Sequence, residues 1–330
     1  MTAAIEVKDL VKRYRRTAAL DGVSLRFEDG VTHGLFGHNG AGKTTLLSIV
    51  GAQARATSGQ VKVFGLAPYE NAAALARLCF IREGQIYPND ARPADLFKVA
   101  RLFHPRWDQG LANHLIEALA IPMDRRVRRL SRGQNSAVGV TIGLAARADV
   151  TFFDEPYLGL DAMARHVFYE ALREVQEHDP HAVLLSSHLI DEVASLVENV
   201  VVLDRGRVFI DQPRDELLSR AARIIGPAEA AERFAGGREV IAREALGPYL
   251  ALTVLGPLSD ADQSALAAAS LTSETVSLQQ LVVHLTRAAA LDRGAGTTGR
   301  AASGPSARTA SGAGKAMGAG TGDRLDGGAA

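Results

Sequence analysis

A single cysteine, Cys79, stands in the 330 residues. No internal disulfide framework is available to the chain, and a reducing compartment suits it. Charge of one sign is also missing: 37 basic residues meet 37 acidic ones, for a formal net charge of zero. Neither a global basic field for nucleic acid nor an acidic solvating tail is present. No apolar run reaches the eighteen or so residues of a membrane span. The best candidate, residues 138–153, is interrupted by Arg147 and Asp149. The first ten residues place Glu6, Lys8 and Asp9 where a secretory leader needs an apolar stretch, so a cytoplasmic location is expected. No internal repeat is visible.

Apolar residues make up 47% of the chain, enough for a sizeable core. Short apolar runs bounded by turn residues alternate with segments of helical period. Residues 31–36 run into a glycine cluster and then into 43–50, which reads as a helix. Residues 150–153 and 182–185 form two more buried-type strands, and strands so interleaved with helices predict an α/β fold around a largely parallel sheet. Residues 200–203 and 207–210, joined by Asp204-Arg205-Gly206, have the pattern of a hairpin. Between the first two strands, residues 77–147 are rich in helical pattern and punctuated by Pro88, Pro93, Pro105 and Pro122, which predicts an inserted helical subdomain. From about 221 to 290 the composition changes, with strands expected at 239–242 and 249–255 and an amphipathic helix at 277–287. This reads as a small α+β appendage. Residues 291–330 are mainly Gly, Ala, Ser and Thr, too poor in apolar surface to offset their ordering entropy, and are expected to be disordered.

Gly37-His38-Asn39-Gly40-Ala41-Gly42-Lys43-Thr44 matches the phosphate-binding P-loop pattern in full, with a strand before it and a helix after. Glycines let the backbone wrap around phosphates, and the helix adds its positive N-terminal end. Lys43 can bridge the β- and γ-phosphates, and the Thr44 hydroxyl can ligate Mg²⁺. Taken alone the loop leaves GTPases, kinases, helicases and transporters open. Further along, Ser131 has the makings of an N-cap, with Gln134 completing a capping box. Asp154-Glu155 ends an apolar strand, where α/β proteins place ligand groups, and its two carboxylates point in different directions. No Asn-Lys-x-Asp guanine reader occurs, which favours ATP.

Leu130-Ser131-Arg132-Gly133-Gln134 closely resembles the LSGGQ signature of ABC ATPases, and the neighbouring segments resemble the other motifs of that family in their usual order over roughly residues 5–215. The resemblance implies an ABC cassette: a P-loop NTPase with a RecA-like α/β core, an antiparallel β portion and the inserted helices, followed by the α+β appendage, with the cassette proper at 1–220. It implies that the nucleotide contacts run through Gly37, His38, Asn39, Gly40, Ala41, Gly42, Lys43, Thr44 and Thr45. Tyr14 would stack on adenine. Thr44, Asp154 and Glu83 would hold Mg²⁺, Glu83 taking the Q-loop position in preference to Gln85. Glu155 would be the general base, and His188, after the strand 182–185, the switch histidine touching the γ-phosphate. Ser131, Gly133 and Gln134 would reach the ATP of a second cassette, and residues 156–161 resemble the D-loop between subunits.

Three departures stand out: Arg132 replaces a residue that is usually glycine, Asn135-Ser136-Ala137 lacks the basic residue common there, and Glu83 stands at the usual Q-loop glutamine. Phe103-His104-Pro105-Arg106-Trp107-Asp108 resembles a branch that works with export permeases. The family reading is therefore an ATP-hydrolysing subunit, held peripherally at the inner face of the cell membrane by a separate multispan permease, with a second cassette and no nucleic acid. A soluble ABC-type ATPase acting on nucleic acid or ribosomes is the alternative. Such relatives carry two cassettes or long coiled-coil insertions, whereas this chain has one P-loop and a short, proline-broken insertion. A catalytically idle regulatory cassette is disfavoured by the intact Lys43, Asp154, Glu155 and His188.

Overall fold

In the computed structural model, which describes residues 2–298, the chain enters through β1 (Ala3–Tyr14) and β2 (Thr17–Glu28), paired antiparallel. β3 (Thr32–Phe36) runs through the glycine cluster into α1 (Lys43–Val50). β4 (Ser58–Val63) returns beside β1, giving a three-stranded antiparallel sheet of order β2-β1-β4. The one-turn α2 (Ala72–Leu75), capped by the Asn71 side chain, leads to β5 (Leu78–Arg82). Three longer helices follow: α3 (Pro93–Phe103), α4 (Gln109–Ala118) and α5 (Arg132–Ala145). Then come β6 (Val150–Asp154), α6 (Ala162–His178), β7 (Ala182–Ser186), the short α7 (Ile190–Val193), β8 (Asn199–Asp204) and β9 (Arg207–Pro213).

The second sheet has the order β5-β6-β7-β3-β8-β9 and is parallel except for β9, which folds back on β8 through Arg205 and Gly206, both at positive φ. Its central strands are predominantly apolar because both faces are covered. Phe152, Leu184 and Val201 face a core shared with α1 and the antiparallel sheet. Their neighbours Phe153, Leu185 and Val202 face the core under α5 and α6. Phe153 packs edge-to-face on Phe168 at 5.1 Å and is fully buried. Phe153→Ala is therefore expected to cost about 3–5 kcal/mol of unfolding free energy, read as a lowered denaturation midpoint at unchanged slope.

The helical insertion expected from residue 77 starts later, since Leu78–Arg82 is an edge strand of the parallel sheet. The cause is its alternation: Cys79 and Ile81 enter the core under α5, while Phe80 meets Phe152 at 5.5 Å on the other face. Burial pushes the Cys79 thiol up to about 12, so it packs as an inert apolar group.

After β9 come α8 (Arg214–Ser219), β10 (Ala221–Pro227), α9 (Ala228–Ala235), β11 (Val240–Leu246), β12 (Tyr249–Leu255), α10 (Asp260–Ala268), β13 (Thr272–Thr275) and α11 (Leu278–Thr298). Their antiparallel sheet, β11-β12-β10-β13, closes over a small core that includes Ile224, Leu252, Val254 and Leu266. The start of α11 is held by Asp191, which accepts from Ser277 Oγ at 3.1 Å and from the Gln279 N–H at 3.0 Å. The chain divides into two units, 1–288 and 289–330. Helix α11 continues to Thr298, past Gly294, and the rest of the stretch expected to be disordered lies outside the described residues. Among the described residues no helix is long and apolar enough to cross a membrane.

Candidate functional site

The loop joining β3 to α1 can form only with glycine at two points. Gly37 has φ 141°, and a Cβ there would overlap the Leu203 carbonyl oxygen. Gly42 has φ 112°, and its Cβ would fall 2.6 Å from the Ala19 carbonyl oxygen. No side chain caps α1, so its first N–H groups are left for a ligand. Lys43, at the head of α1, turns back and donates to the Gly37 carbonyl at 2.7 Å. Burial pushes the Lys43 ammonium below the ordinary lysine value, while the Glu155 and Asp154 carboxylates hold it up. His38 sits beside Asp204, Nε2 to Oδ1 3.3 Å.

Asp154 closes β6 at 5% exposure, and its Oδ2 accepts from the Thr44 hydroxyl at 3.0 Å. The next residue, Glu155, adopts a left-handed backbone, φ 50°. That turn sends its carboxylate to the end of β7, where Oε2 lies 2.8 Å from His188 Nδ1. The same oxygen accepts from the Tyr157 hydroxyl, and burial, then the Glu155 carboxylate, push that phenol up. The residues from Asn39 to Thr44 line a cavity of ≈ 400 Å³ together with Glu83, Asp154, Glu155, Leu158 and His188. A flexible polyphosphate entering it would meet the Lys43 cation, a run of backbone N–H groups, a hydroxyl and the carboxylates.

Several residues singled out from the sequence lie outside that lining. Tyr14, at the end of β1, is 50% exposed with Lys12 Nζ 4.8 Å from its ring centre. Ser131, Gly133 and Gln134 begin α5. Ser131 Oγ accepts from the Gln134 N–H at 3.1 Å, and Gln134 Oε1 accepts from the Ser131 N–H at 3.0 Å, a full capping box. Glu83 reaches the cavity wall, whereas Gln85 turns its Oε1 onto the Arg82 N–H at 3.3 Å.

Sequence reasoning did not foresee two features. Arg132 pairs with Glu83, Nη2 to Oε1 2.6 Å. Both side chains are well exposed, and such a pair contributes less than about 1 kcal/mol. Tyr157 falls within residues 156–161, for which the resemblance implies only a D-loop between subunits. The one sequence signal was its place two residues after Glu155.

The family described as ABC transporter matches residues 20–158. The Daunorubicin resistance ATP-binding protein DrrA3 of Streptomyces coeruleorubidus is 32% identical over 275 residues, 80% of this chain and 83% of that protein. The ABC transporter ATP-binding protein YtrB of Bacillus subtilis (strain 168) is 28% identical, covering 64% of this chain and 73% of that one. Among solved structures, an ATP-binding subunit of an ABC transporter superposes with a TM-score of 0.58 at 22% identity, over 65% of this chain and 91% of that chain. A dimeric ATP-binding cassette in a post-hydrolysis state bound to ADP and Pi superposes with a TM-score of 0.57 at 20% identity, over 64% and 98%.

Proposed function

Because this chain belongs to the ABC transporter family as one of its ATP-binding, ATP-hydrolysing subunits, we propose that it works as half of a cassette pair, driving export through a separate membrane permease. The carrying observation is an incomplete site. Lys43, Thr44, Asp154, Glu155 and His188 converge on one cavity, while Ser131 and Gly133 of the same chain stand outside its lining. A second cassette supplying its own Ser131 and Gly133 completes each site.

In this reading the loop from Gly37 to Thr45 binds the phosphates, Lys43 offsets their charge and Tyr14 stacks on the base. Thr44 and Asp154 are the residues that would hold Mg²⁺. A hydroxyl 3.0 Å from a nearly buried carboxylate is a hard oxygen pair that suits this ion. When bound it supplies neutralisation of phosphate charge. Glu155 takes a proton from the attacking water as its oxygen bonds to the γ-phosphorus. The bond to the β–γ bridging oxygen breaks, and ADP leaves. His188 bridges Glu155 to the γ-phosphate.

Residues 1–220 form the cassette in this proposal, and 221–290 an accessory domain. The drug-resistance name of the Streptomyces relative and the 103–108 segment support export as the direction. Cell fractionation separates this from action on ribosomes or nucleic acid. Tagged chain is expected in the membrane fraction whenever the permease is present and to leave it when the permease gene is deleted. Recovery with ribosomes, or ATPase stimulated by DNA or RNA, would overturn the proposal.

A further inference from the structure

Tyr157 lies in the connection from β6 to α6, and only 1% of it is exposed. A buried phenol has one proton to give and lone pairs to fill. Its oxygen lies against Glu155 Oε2, at 2.9 Å from Ser187 Oγ and at 3.1 Å from the His188 backbone nitrogen. Donor counting fixes the directions. The His188 N–H can only donate and the ionised carboxylate can only accept, so the phenol proton goes to Glu155. Ser187 Oγ already accepts from the Leu189 N–H at 2.9 Å and keeps its own proton for the phenol oxygen. Every capacity of the hydroxyl is thus used, on the candidate base and on the segment that carries the candidate switch histidine.

The segment bearing Tyr157 is pinned on its other side as well. Ser136 Oγ, on α5, donates to the Leu158 carbonyl at 2.7 Å, and the Leu160 N–H donates to the Tyr157 carbonyl at 2.9 Å. Glu155 needs such a restraint, because its left-handed backbone, φ 50°, costs roughly 1 kcal/mol. Packing alone asks only for a ring at this position, and phenylalanine would supply one without a hydroxyl to desolvate.

We propose that Tyr157 is a positioning residue for ATP hydrolysis, its hydroxyl holding the Glu155 carboxylate and the Ser187–His188 segment in one arrangement at the γ-phosphate end of the cavity. The inference rests on the reading of Glu155 as the base. Tyr157 itself is not among the residues lining the cavity; it acts through Glu155 and His188, which are.

Tyr157→Phe keeps the ring and removes the hydroxyl. Single-turnover hydrolysis is expected to slow roughly ten- to a hundredfold, the penalty of a misplaced reacting group. Affinity for a non-hydrolysable ATP analogue should stay within about twofold, since no phosphate contact is lost. In a Glu155→Gln background, adding Tyr157→Phe should change the residual rate by less than about twofold, because the hydroxyl would have no base left to position. Wild-type turnover by Tyr157→Phe overturns the proposal, and so does an equal fold-loss in both backgrounds, which marks a purely structural role. If Tyr157→Phe does not keep the native near-ultraviolet dichroism, Ser187→Ala removes one anchor of the same hydroxyl with the ring intact. It should slow turnover severalfold at unchanged analogue affinity, and full turnover there overturns the proposal. Glu155→Gln measured alone reports separately on the base: if it hydrolyses ATP normally, the reading of Glu155 fails before that of Tyr157 is reached.

Discussion

Replacing Lys43 with alanine is expected to abolish measurable ATP binding. The ammonium is buried, donates to its own loop at Gly37, and sits below the ordinary lysine value because burial outweighs the help of Glu155 and Asp154. A cation short of counter-charge gains most when a polyphosphate arrives. Two charge-assisted contacts, to β- and γ-phosphate, are worth about 1.5–3 kcal/mol each. Their loss raises Kd by about a hundredfold or more. Isothermal titration with Mg-ATP reads the change directly. Thermal melting without nucleotide serves as the control for folding. Near-normal affinity in a folded Lys43→Ala chain would contradict the placing of the phosphates against α1.

What could be read in one dimension was what sits in one stretch of chain. The parallel sheet announced itself because β6, β7 and β8 are buried on both faces and so are apolar without alternation. The glycine cluster was legible because close backbone approach excludes a Cβ at Gly37 and Gly42. β5 was missed since its five residues open a region whose prolines and helical pattern dominate the reading; only pairing with β6 makes Leu78–Arg82 a strand. β10 and β13 were missed for the same reason, their stability coming from the sheet they join. The site divides likewise. Asp154 and Glu155 are neighbours in sequence, but Tyr157 acquires its role from Ser187 and His188, thirty residues on. Arg132 and Glu83 each look like an isolated departure from the family pattern. Forty-nine positions apart, they become a single ion pair.

Glu155→Gln is expected to slow hydrolysis by about a hundredfold or more while leaving ATP binding near normal. The amide matches the carboxylate in shape and still accepts from the Tyr157 hydroxyl, so the local frame survives, but it cannot take a proton from water. Since ATP joins the two cassettes until it is cleaved, the variant should accumulate as an ATP-dependent dimer, whereas wild type returns to monomer. Ser131 supplies the complementary test from the other side of the composite site. Its hydroxyl lies outside the cavity of its own chain and heads α5 where a partner's phosphates would approach. Ser131→Arg combined with Glu155→Gln should destroy the dimer, placing bulk and an unpaired charge in the closed interface, at a cost of several kcal/mol. Size-exclusion chromatography with light scattering, run with and without ATP, reads wild type, single and double variants. Hydrolysis rates measured on the same samples separate chemistry from assembly. Unimpaired turnover in Glu155→Gln would sink the assignment of the base whatever the oligomer does, and a dimer that survives Ser131→Arg would remove the signature segment from the shared site.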